Sequence, residues 1–120
     1  MKKIERFEDL NIWVSAKSLV VQIYSRFGNI KDYGFRDQIQ RASISVMNNI
    51  AEGFERNSNK DFIRFLVIAK SSCGEVRSML YAAQALKFID LEISNNLIEY
   101  CVKLSSSIAS LIKHLKCFNT

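Results

Sequence analysis

The chain has 120 residues, 48% of them hydrophobic and 24% charged, with a formal net charge of +5 and a pI of about 9.2. That length fits one domain, residues 1–120, able to bury a core without staples, and the balance is that of an ordinary soluble chain rather than a disordered one. Proline is absent and glycines number four, as long uninterrupted helices would require; no stretch alternates apolar and polar residues as strands do.

The first helix is expected over about Asp9 to Phe27. Leu10, Trp13, Ala16, Val20, Ile23, Tyr24 and Phe27 keep a helical period. Glu8 and Asp9 suit the positive end of the dipole, Phe7 can pack back as a staple, and Gly28 is a stop signal. Trp13 reads as core packing. Lys2 and Lys3 precede the helix, but Glu5, Arg6, Glu8 and Asp9 interrupt any apolar stretch, so the segment does not read as a signal peptide. A loop is expected from Gly28 to Gly34.

The second helix, ending near Glu55, carries the most informative run, Asp37 to Ser58. Phe35, Ile39, Ala42, Val46, Ile50 and Gly53 make an apolar stripe, and Gln38, Arg41, Ser45, Asn49, Glu52 and Arg56 a polar one beside it. Polar groups at such a boundary must be hydrogen-bonded. Two readings follow, a structural seam between packed helices and a catalytic or ligand-binding line. The seam reading makes Glu75 the partner of Arg41, and Arg41→Ala a loss of roughly 2–4 kcal/mol, as when a buried charged network loses a member. Ile44, Met47 and Ala51 add a second apolar patch, the mark of a central helix or one at a subunit contact.

Ser58 can cap the third helix, expected over about Asn59 to Leu86, with Asp61 three residues on. Phe62, Leu66, Ala69, Cys73, Val76, Leu80 and Ala83 alternate steps of four and three, a coiled-coil-like seam. Phe65, Ile68, Ser72, Met79 and Leu86 form a second row. Asp90 is a candidate cap for the fourth helix, which runs to about Leu115 with a seam of Leu97, Cys101, Leu104, Ile108, Leu111 and Leu115. Long helices joined by short loops pack as neighbours in opposite directions. The expected fold class is therefore all-α, an antiparallel up-down-up-down four-helix bundle.

The second helix resembles the signature of the four-helix bundle proteins encoded in intervening sequences of bacterial large-subunit rRNA genes, Q-I-x-R-A-x-x-S-I-x-x-N-I-A-E-G followed by Arg and Ser. Gln38, Ile39, Arg41, Ala42, Ser45, Asn49, Ile50, Ala51, Glu52, Gly53, Arg56 and Ser58 match it. Val46 stands for the second Ile, and Met47 where many members have Pro. Phe7, Leu10 and Trp13 fit the family's opening, and Ala69, Ser72 and Glu75 its third-helix pattern. There Ser71 replaces the usual Gly, with Gly74 one turn on as a substitute for close backbone approach. The resemblance implies a bacterial bundle that assembles as a ring-shaped homopentamer. It also implies kinship with the accessory protein of diversity-generating retroelements, a basic pentamer that binds nucleic acid and a reverse transcriptase. The extra apolar residues Ile44, Met47, Phe65, Ile68 and Met79 would then serve subunit contact.

Catalytic chemistry finds little support in the residues. A di-metal carboxylate bundle needs Glu-x-x-His, yet the one histidine, His114, has Leu111 three residues before it. Cys73, Cys101 and Cys117 include no close-spaced pair for a disulfide framework or zinc and suit a reducing cytoplasm. Cys117 with His114 lacks an orienting third group. Glu52 and Glu75 lie near arginines that suit salt bridges better than proton transfer. The expectation is no enzyme, no metal, no cofactor, no small-molecule substrate and no membrane partner: the longest apolar run, Phe65 to Ala69, is far too short to span a bilayer.

In such a bundle the N-terminus, the turn between the second and third helices, and the C-terminus share one end. That end gathers Lys2, Lys3, Arg6, Arg56, Lys60, Arg64, Lys113 and Lys116, along with Glu5, Glu8, Asp9, Glu52, Glu55 and Asp61. Two function classes follow. One is a cytoplasmic homo-oligomer that binds structured RNA or DNA through backbone phosphates. The other is a protein–protein interaction scaffold with no nucleic-acid affinity.

Overall fold

Turn chemistry divides the chain into four long helices. The structure, a computed structural model, describes residues 3–118. A short 3-10 turn, Phe7–Asp9, leads into α1 (Asn11–Phe27), α2 (Tyr33–Phe54), α3 (Asn59–Ala85) and α4 (Leu91–Cys117). No strand occurs among the described residues, and the molecule is an all-α bundle measuring 48 × 22 × 20 Å.

Each boundary has a local cause. Asp32 caps α2 by accepting a hydrogen bond from the Phe35 N–H at 3.1 Å. The helix therefore starts at Tyr33 and takes in Gly34, which the sequence suggested for the loop. Gly28 ends α1 in the right-handed region, φ −62°, so it is not used as a left-handed cap. Ser58 caps α3 as expected, accepting from the Asp61 N–H at 3.0 Å. α3 closes with a reversed pair of hydrogen bonds, Phe88 N–H to the Ala83 carbonyl and Lys87 N–H to that of Gln84. That closure puts Lys87 in the left-handed region at φ 61°, a place glycine usually fills. Asp90 stands at the start of α4, but its side chain makes no capping bond. The helix runs to Cys117, two residues beyond the expected Leu115.

The third-helix seam is buried at every expected position, Phe62 through Ala83. On α2, Ile39, Ala42, Val46, Ile50 and Gly53 are buried and Phe35 is half-buried. The first helix is rotated from expectation. Its buried residues are Ile12, Ala16, Leu19, Ile23 and Phe27, while Tyr24 is exposed and Trp13 and Val20 are half-buried. Apolar residues occur all round α1, including exposed Val14 and Val21, so two stripes fit its period and tertiary packing selects one. Phe7 does pack back, its ring 5.2 Å from that of Trp13.

Contacts between neighbouring helices are met in reverse order along the chain. Gln38, Ser45 and Phe54 of α2 meet Glu75, Ser72 and Phe62 of α3. Cys73 and Gln84 of α3 meet Cys101 and Asn95 of α4. That is the pattern of helices running in opposite directions. The Tyr100 hydroxyl on α4 donates to the Ser15 carbonyl on α1 at 2.8 Å and closes the circuit.

Candidate nucleic-acid interface and the polar seam

The alternation of direction brings three parts of the chain to one end. Lys3, Ile4 and Glu5, then Gly53, Phe54, Glu55, Asn57, Ser58 and Asn59 of the α2–α3 turn, and Leu115 of α4 all border a cleft of about 550 Å³. Lys3, Arg6, Arg56, Lys60, Arg64, Lys113 and Lys116 are all exposed and belong to these three parts; Lys2 lies outside the described residues.

Their charges are not equivalent. Arg6 faces Glu8 at 3.4 Å and Asp9 at 3.7 Å, Arg56 faces Glu52 at 2.9 Å, and Arg64 faces Asp61 at 3.6 Å. Arg56 and Arg64 also lie over the Phe65 ring, 4.9 and 4.8 Å from its centre. The arginines are thus locally neutralised. Lys3, Lys60, Lys113 and Lys116 make no ion pair among the described residues.

The polar stripe on α2 forms a seam in its middle and opens to water at its ends. The Ser45 and Ser72 hydroxyls meet at 2.8 Å, and Asn49 donates to both the Ser45 carbonyl (2.8 Å) and its hydroxyl (3.0 Å). Ser72 is buried; Ser45 and Asn49 are half-buried. Gln38, Glu52, Arg56 and Glu75 are exposed. Glu75 accepts from Gln38, not Arg41. Arg41 is exposed and lines a shallow groove with Tyr24, Asp37, Gln40 and Ile44 on the α1 side of α2. The expected Arg41–Glu75 pair does not form, because α2 turns the guanidinium away from α3. Nor do the seam's carboxylates meet: Glu75 sits at the level of Gln38, about four helical turns from Glu52.

The closest approach of α2 and α3 is at Gly53. A Cβ there would lie 2.7 Å from Cβ of Phe65 and 3.0 Å from Cδ1 of Phe62. Gly74 does not play the part assigned to it, since a Cβ added there meets nothing within 4 Å. It opens instead onto a groove between α3 and α4.

That groove, about 310 Å³, is bordered by Lys70, Ser71, Arg77 and Ser105, with Cys73 and Cys101 among its lining. The sequence reading passed over Lys70 and Arg77. A signal was present: Lys60, Arg64, Lys70 and Arg77 fall on one outward face, joined through Val67 and Gly74 by steps of three and four.

The five residues expected at subunit contacts are dispersed. Ile68 is exposed; Ile44, Met47 and Met79 are half-buried. Phe65 is buried, 8% exposed, beneath the two arginines. Its own chain therefore covers the ring expected to face a partner. Ile44 looks out beside α1, whereas Ile68 stands one turn from the Ser45–Ser72 contact. No described helix is long and apolar enough to cross a membrane.

Residues 8–110 match the family described as 23S rRNA-intervening sequence protein. The chain belongs to that family. The matched span includes the whole of the α2 signature and the Gly53 contact. A similar crystal structure is that of a protein of unknown function from the S23 ribosomal protein family of Bacteroides thetaiotaomicron. It is 23% identical, with a TM-score of 0.80 over 85% of this chain and 98% of that one. At that identity the likeness extends to the intervening-sequence bundle fold alone. No curated protein matches the chain.

Proposed function

We propose that this member of the family is a non-enzymatic, cytoplasmic homo-oligomer that binds structured RNA or DNA through backbone phosphates. The observation that carries the reading is the set of lysines at one end of the bundle, Lys3, Lys60, Lys113 and Lys116, exposed and without carboxylate partners among the described residues. Long flexible ammonium groups at one end of the bundle suit sequence-independent phosphate contact; of the four, Lys3 borders the cleft itself, beside Glu5 and Glu55. The ring-shaped pentamer implied by the family resemblance would repeat this end in each subunit and raise avidity.

Sizing by light scattering followed by salt-titrated binding to RNA and DNA tests the reading. Four released counterions per subunit give a slope of about −3 to −4 in log K against log salt. Binding indifferent to salt, or a monomer in solution, would overturn it. Exposed Ile68 and half-buried Ile44, Met47 and Met79 favour a second reading, a protein–protein scaffold. It predicts a stable oligomer with no nucleic-acid affinity at moderate salt.

A further inference from the structure

We infer that the groove between α3 and α4 is a second nucleic-acid subsite, away from the bundle end, which seats a single-stranded backbone on Lys70 and Arg77 and a base on Tyr81. The inference rests on the nucleic-acid reading above and adds to it a place and a strandedness.

Three observations carry it. The groove's rim is cationic and its walls carry hydroxyls: Lys70, Arg77, Ser71 and Ser105 border it, and no carboxylate does. The nearby acids are engaged elsewhere, Glu75 with Gln38 towards α2 and Glu99 with Lys103 at 3.3 Å. Lys103 borders the opposite side of α4 with Ser15 and Tyr100. Neither Lys70 nor Arg77 makes an ion pair among the described residues. This differs from the bundle end, where Arg6, Arg56 and Arg64 are held by acids.

The second observation is shape. Gly74 leaves its place on the wall open, with nothing within 4 Å of where a Cβ would stand. Two packed helices fill the roughly 8–10 Å between their axes, so the groove is a furrow of about 310 Å³ on their outer surface; one backbone can lie along it, whereas a duplex, whose major groove alone is about 12 Å wide, touches only its rim. Lys70 and Arg77 are two turns apart, about 10 Å along the helix, and both side chains border the same concavity.

Third, Tyr81 lies one turn beyond Arg77 on the same outward face and is 56% exposed. A cationic track ending in an open aromatic ring is the arrangement by which proteins hold single strands, phosphates on the charges and a base on the ring. Because structured RNA carries unpaired loops, the two subsites can serve one ligand.

The test compares wild type with Lys70→Gln/Arg77→Gln, Lys113→Gln/Lys116→Gln and Tyr81→Ala, using an oligo-uridine probe and a blunt duplex of equal length. Helical content and thermal midpoint confirm folding, and Lys70→Arg/Arg77→Lys keeps the charge as a control. The groove double variant should lose about 1.4 from the oligo-uridine salt slope, 0.7 for each phosphate contact, with a smaller effect on the duplex. Tyr81→Ala should weaken oligo-uridine binding about tenfold at unchanged slope. If the groove variants bind like wild type while the Lys113/Lys116 variant is weakened, the groove inference fails and the end-face reading stands. If wild type binds neither probe, both fall.

Discussion

A methyl group at position 53 would have nowhere to go. It would press on the Cβ of Phe65 at 2.7 Å and on the Phe62 ring, and both neighbours are buried within the packed bundle. Gly53→Ala should therefore separate α2 from α3 and lower stability by about 1–3 kcal/mol, the usual cost of overpacking. Arg41→Ala should change it by no more than about 0.5 kcal/mol, as surface substitutions do, since Arg41 is exposed and unpaired among the described residues. Urea midpoints at one protein concentration check both. A large loss at Arg41 with none at Gly53 would reverse this reading. The sequence marked both residues as parts of one signature. Spacing put Gly53 on the apolar stripe and so on the buried side, but for Arg41, on the polar stripe beside it, spacing could not say whether the guanidinium would turn inward to α3 or out to solvent.

Helix ends offer a second contrast. The Ser58 hydroxyl satisfies an orphan amide of α3, so Ser58→Ala should cost about 1 kcal/mol. Lys87 holds a left-handed conformation, φ 61°, that disfavours a Cβ; Lys87→Gly should relieve the strain and raise the thermal midpoint by a few degrees. A midpoint that falls for Lys87→Gly would mean the lysine side chain supports the turn. Legibility differed among the elements for the same physical reasons. The α3 seam was readable because its alternating steps of four and three leave one answer. Ser58 was readable because its hydroxyl precedes a long apolar period. The rotation of α1 was not, since apolar residues surround that helix and only its neighbours choose which face is covered. The Asp32 cap was hidden inside a glycine-rich loop that gave no reason to start a helix so early.

Across the whole molecule, the core behaves as one cluster drawn from all four helices. Cys73 and Cys101 sit within it, each 1% exposed, and the Cys73 thiol donates to the Cys101 carbonyl at 3.4 Å. The contact with Cys73 and burial together push the Cys101 thiol above the ordinary thiol range. Cys117 is exposed. A thiol reagent at neutral pH should thus label one cysteine per chain quickly, and the other two only at the rate of global opening. Fast labelling of two or three would indicate a loosely packed α3–α4 interface. The candidate site was partly legible at this scale. Alternating helix direction was enough to gather the basic residues at one end, but not to say which would be neutralised. Ion pairing depends on side-chain reach between residues a turn apart, as in Arg56 with Glu52, and a charge total conceals it. The α3–α4 groove escaped notice because a concavity belongs to two helices at once, and neither displays it alone.

One consequence follows for anyone handling this protein. Lys3 and Leu115 border the same cleft, so an affinity tag or fluorescent fusion on either terminus is attached within a few residues of it. Cargo is better spliced into the turn at the far pole, residues 28–31, ahead of the Asp32 cap and beside the Phe27–Phe35 ring contact, where the basic end and the α3–α4 groove both stay unobstructed.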